Sequence, residues 1–105
     1  MTTWRDFAAH RSYAHSWDVY VPGLPRLLDF PDVLTLRMPA ATLVQSLRGD
    51  HLFSYAEMRR AHRKLRDAFR LANAGAALTE RIYPGRHRFS IAMQDDAFAW
   101  LAAHL

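Results

Sequence analysis

No cysteine occurs in the 105 residues, which excludes disulfide scaffolds, zinc-thiolate sites and cysteine nucleophiles together. Nor does any stretch reach the roughly 20 uninterrupted apolar residues that a membrane-spanning helix requires. The first ten residues carry Asp6 and contain no apolar signal-peptide core, so a soluble, unexported and cytoplasmic protein is expected, with no membrane partner. Internal repeats, low-complexity tracts and Ser/Gly linkers are also absent. With 50% hydrophobic and 23% charged residues, the chain has the balance of one small globular domain.

Charge is present but unevenly placed. Of the formal net charge of +4, all resides between Glu57 and Arg70, where six bases (Arg59, Arg60, Arg63, Lys64, Arg66, Arg70) face two acids. The remaining eight bases and eight acids cancel. A row of arginines at helical spacing could track phosphates. However, Glu57 and Asp67 interrupt it, an apolar stripe shares the segment, and no aromatics are interleaved for base stacking. A solvated helix face is the better reading, and no nucleic-acid partner is expected.

Proline divides the chain. Pro22, Pro25, Pro31 and Pro39 fall within the first 39 residues and argue against long regular elements there. At most, Pro31 opens a short helix through Leu36. Residues 1–39 are therefore read as an irregular cap or pocket-wall segment, and 40–105 as a βαβα unit. Ala41 to Leu47 is a short apolar run ending at Arg48-Gly49-Asp50, which favours a buried strand delivering Asp50 at its carboxyl end.

Ser54-Tyr55-Ala56-Glu57 has the pattern of a capping box, and Met58, Ala61, Leu65, Ala68, Phe69 and Ala72 follow as one apolar stripe. Asn73 and Gly75 supply the stop. His62 is expected on the surface. Leu78 to Tyr83 is a second strand running into Pro84-Gly85, which places His87 in a loop. Ile91 to Leu105 closes the chain as a helix, with Ala97, Phe98, Leu101 and Leu105 on one face and Asp95 and Asp96 near its amino terminus.

This order predicts parallel α/β architecture, with functional residues at the carboxyl ends of strands. Two strands leave both edges open, so the sheet is expected to be incomplete.

Asp50 and His87 are 37 residues apart, each at a strand end, with a helix between. In α/β hydrolases the acid and histidine of the triad occupy such successive positions. The spacing alone fits equally a turn aspartate and a solvated loop histidine. The wording of the chain adds to it. Met1-Thr-Thr-Trp-Arg-Asp-Phe7, His15-Ser-Trp17, Tyr20-Val-Pro-Gly-Leu24, Leu28-Asp-Phe-Pro-Asp-Val33, Asp50-His-Leu-Phe53, Tyr83-Pro-Gly-Arg-His-Arg-Phe89 and Met93-Gln94 with Ala97-Phe-Ala-Trp-Leu101 resemble the carboxyl-terminal part of α/β hydrolases of the dienelactone-hydrolase and acetyl-xylan-esterase-like family.

The resemblance implies that Asp50 is the triad acid and His87 the triad base. It places Trp17 near the active-site mouth. His51, from its position beside Asp50, is a second candidate pocket residue, with a plain loop histidine as the better reading of it. Arg86 departs from the family, where that position often holds proline or another uncharged residue.

The nucleophile is missing. An elbow of the Gly-X-Ser-X-Gly type needs small neighbours, yet none of Ser12, Ser16, Ser46, Ser54 or Ser90 has a glycine two positions away, nor does any threonine. Oxyanion-hole amides, each worth about 3 kcal/mol, would be missing with it. The resemblance thus implies an amino-terminally truncated esterase domain that supplies acid and histidine and is inactive alone. A small-molecule ester would be its partner only once the missing half is restored.

The alternatives are a non-catalytic remnant that pairs its open strand edge with a partner or a second copy, and a basic nucleic-acid binder. No cofactor or metal is expected: His10 and His15 have no carboxylate in register beside them. Trp4, Tyr20 and Trp100 are expected to pack.

Overall fold

In the computed structural model, residues 1–9, 15 and 19–104 are described. Helix α1 (Trp4–Ala9) and helix α2 (Phe30–Thr35) precede strand β1 (Thr42–Leu47) and helix α3 (Tyr55–Leu71). Strand β2 (Leu78–Tyr83) and helix α4 (Ile91–His104) follow, with short 3-10 turns at Leu24–Arg26 and Gly75–Ala77. The two strands run parallel, in register from Thr42 opposite Leu78 to Leu47 opposite Tyr83. Both strands and the parallel arrangement agree with the sequence pattern. Among the described residues no further strand joins them. Among the described residues no helix is long and apolar enough to cross a membrane.

Alternation along β1 assigns each helix to a face. Ser46 bonds to His62 of α3, whereas its neighbour Gln45 donates to the Met93 carbonyl of α4 at 2.9 Å. One helix therefore covers each side of the sheet. On α3, Met58, Ala61, Leu65 and Phe69 are buried, at no more than 1% exposure, and form the centre of the core. The helix ends in a complete Schellman motif: Ala74 N–H reaches the Phe69 carbonyl, Asn73 N–H reaches that of Arg70, and Asn73 takes φ 53°.

At the other end of α3 only half of the expected capping box forms. Ser54 accepts from the Glu57 amide at 3.3 Å, but the Glu57 carboxylate turns away to Thr3 Oγ1 and Arg60 Nε. The Ser54 amide donates instead to Asp6 Oδ2 at 2.9 Å. Tertiary contacts from residues 2–6 have replaced the local bond. The reciprocal box occurs at α2, between Asp29 and Asp32, and Asp29 also accepts the Trp4 amide at 2.6 Å.

The proline-rich segment is thus more ordered than its composition suggests. Asp6 and Phe7 of α1 are buried, and Phe7 gathers Trp4, Tyr20, Phe30 and Phe53 around it. The proline at the start of α2 fits the expectation for Pro31.

Helix α4 corrects the face assigned from its sequence. Phe98 is 65% exposed and Leu101 39%, and Met93 is the buried residue. Polar contacts dock it: Asp96 meets Arg81 and Tyr83, and Trp100 Nε1 donates to Thr79 Oγ1 at 3.0 Å. The helix is apolar on nearly every side, so periodicity held little information about which side packs.

Candidate functional site

Beyond the two strands the chain stays laced together. Arg48 N–H donates to the Tyr83 carbonyl at 2.9 Å and Gly49 N–H to that of Gly85 at 3.0 Å. A Cβ on Gly49 would lie 2.7 Å from the Gly85 oxygen, so no larger residue fits without parting the two loops. Gly85 itself has φ 110°, a conformation that disfavours other residues. These two glycines fix the separation of the strand ends that carry Asp50 and His87.

His87 Nδ1 lies 2.9 Å from Asp50 Oδ2. The other carboxylate oxygen accepts the Leu52 amide at 3.0 Å, which locks the acid in place by an Asx-type turn. The acid is sheltered and the base open: the side chain of Asp50 is 8% exposed and that of His87 51%. An ionised carboxylate only accepts, so Nδ1 carries the proton that it receives. Among the described residues nothing hydrogen-bonds Nε2.

A cavity of about 280 Å³ adjoins the pair, bounded also by Ser46, Phe53 and Met93. His51 stands edge-on to His87, with ring centroids 6.0 Å apart, and is exposed. Trp17 and His10 lie outside the described residues.

A second histidine pair was not foreseen. His62, expected on the surface, is 1% exposed. Its Nδ1 donates to Glu80 Oε1 at 2.6 Å, and its Nε2 faces Ser46 Oγ at 2.8 Å. Arg66 completes Glu80 at 2.9 Å. Burial pushes the His62 imidazole below its ordinary pKa, with Glu80 opposing that shift. A signal was available in the sequence: His62 is four residues after Met58 and three before Leu65, on the apolar stripe itself.

Serine, histidine and carboxylate here stand in triad order, but Ser46 lies in a regular strand and is only 5% exposed. The interaction therefore satisfies buried polar groups between β1, α3 and β2 rather than presenting a nucleophile.

The basic face of α3 is largely matched. Arg60 pairs with Glu57, Lys64 with Asp32, Arg66 with Glu80 and Arg70 with Asp67. His15 stacks on Phe7 and Phe53, at 4.2 and 5.1 Å. Among the described residues no group of three or more His, Asp or Glu is arranged to hold a metal ion.

Compared with known proteins, the chain matches no family model, no curated protein and no solved structure. Its class is an α/β domain with a histidine–aspartate pair at the carboxyl ends of parallel strands.

Proposed function

We propose that this chain supplies the acid and the histidine of a serine ester hydrolase site in an α/β-hydrolase fold. Asp50 holds the imidazole through Nδ1. His87 Nε2 takes the proton from a serine hydroxyl as that oxygen attacks the ester carbonyl, then returns it to the leaving alcohol. A second cycle with water releases the acid. The serine and the oxyanion-hole amides come from sequence other than these 105 residues. The observation carrying this reading is the 2.9 Å bond between a sheltered carboxylate and an open imidazole, both at strand ends. Trp17 and His51 are proposed to contact the substrate.

A serine-directed fluorophosphonate tests the reading. The isolated chain is expected to remain unlabelled and to hydrolyse no ester above background; stoichiometric labelling of any of its own serines overturns the proposal. In source cells, an antibody against residues 91–104 is expected to detect a species several-fold heavier than 12.1 kDa that does react with the probe. A species of 12.1 kDa alone would favour the other reading, an interaction module. That reading rests on the two-stranded parallel sheet, since parallel sheets are normally larger and covered.

A further inference from the structure

A second, larger cavity of about 510 Å³ lies between the amino-terminal segment and α2, within the 300–1,000 Å³ range of small-molecule sites. Phe7, Phe30 and Phe53 line it, with the Phe7 ring centroid 5.0 Å from that of Phe30 and 5.8 Å from that of Phe53. Val33 and Leu34 of α2 contribute aliphatic surface. The polar groups on its wall are already engaged: Thr2 Oγ1 donates to Asp6 at 2.6 Å, and Arg37 reaches the Ala41 carbonyl at 3.4 Å.

Such a wall rewards an uncharged ring and offers little to a hydroxylated group. Met1 and Phe53 also border the smaller cavity beside Asp50 and His87, so the two spaces share a wall. A ring seated among the phenylalanines would therefore lie across Met1 and Phe53 from the cavity that His87 lines.

We infer that this cavity is the substrate pocket for an uncharged aromatic group, making the substrate an aryl or similarly bulky apolar ester rather than an acetylated sugar. The inference rests on the hydrolase reading for the word substrate, but binding is independent of it. The test is a methyl-resolved NMR titration of the 105-residue chain with methyl 2-naphthoate, methyl acetate and glucose pentaacetate. Saturable shifts at the Val33 and Leu34 methyls are expected with the naphthoate, and at least ten-fold weaker binding of the other two.

Val33 is 38% exposed, so Val33→Trp is tolerated by the fold and is expected to weaken naphthoate binding at least ten-fold. Leu34→Asp is expected to do the same. The readout is binding and not turnover, so loss of the hydrolase reading and loss of the pocket are separate results. Absence of saturable shifts, shifts mapping elsewhere, or affinity indifferent to both pocket variants overturns the inference. So does sedimentation showing that a chain dimer buries these methyls.

Discussion

Two histidines in this protein each face a carboxylate through Nδ1, at 2.6 Å for His62 with Glu80 and 2.9 Å for His87 with Asp50. In the first pair Nε2 is engaged by Ser46 and the ring is walled in by β1, α3 and β2. In the second, the half-exposed ring lines a cavity at the strand ends. A carboxylate-oriented imidazole is therefore not in itself a reactive one: what decides is whether a substrate atom can approach the second nitrogen. The same bond stabilises the fold in one place and, in the proposed reading, poises a base in the other.

The largest expected break in this comparison comes from stability. His62→Ala removes a filled core position and one partner each of Glu80 and Ser46, for an expected loss of about 3 kcal/mol. His87→Ala, at an exposed loop position, is expected to stay within about 0.5 kcal/mol of the parent. Denaturant midpoints measured on both variants check this, and equal losses would dissolve the distinction.

Next is the glycine contact. Gly49→Ala forces its Cβ against the Gly85 carbonyl and is expected to cost about 2 kcal/mol, with loss of the Asp50–His87 bond seen in the imidazole nitrogen shifts. Gly75→Ala, which meets nothing within 4 Å, is the control and is expected to change stability by less than about 0.5 kcal/mol.

Smallest per increment is the pH dependence. His62 is held below its ordinary value of 6.5 when folded, so the unfolded chain binds the extra proton first. Stability is then full above about 6.5 and declines as the pH falls toward the folded pKa, no more steeply than about 1.4 kcal/mol per pH unit for one proton. The Met1 amine, lowered from 8.0 by burial, adds a decline of the same sign at higher pH. Glu80 faces His62 and opposes its shift; the amine and Arg66 reinforce it. His62→Gln is expected to remove the limb below 6.5, whereas His87→Gln should leave it in place. Thermal unfolding from pH 8 to pH 5 reads both.

Much of this architecture was legible in the residues. The short apolar run before Arg48-Gly49-Asp50, the stripe on α3 and the strand before Pro84-Gly85 are local patterns, and each element formed within a residue or two of its expected bounds. Asp50 and His87 came together because strand ends in a parallel pair are neighbours. Less legible was anything decided by distant contact. Glu57 abandoned its local cap for Thr3, 54 positions away, and the order of the amino-terminal segment depends on Asp29 joining α1 to α2.

By itself, then, the sequence determined the strand–helix–strand–helix order of residues 40–105, the placement of an acid and a histidine at two strand ends, and the lack of a nucleophile elbow. Those features follow from short-range rules: hydrophobic periodicity, turn residues and the small neighbours an elbow demands. Only the tertiary structure decided which histidine is buried, which face of α4 packs, and that two glycines set the spacing of the pair. Each of these depends on which surfaces meet across the sheet, and a side chain's burial and partners are properties of that meeting rather than of its neighbours in the chain.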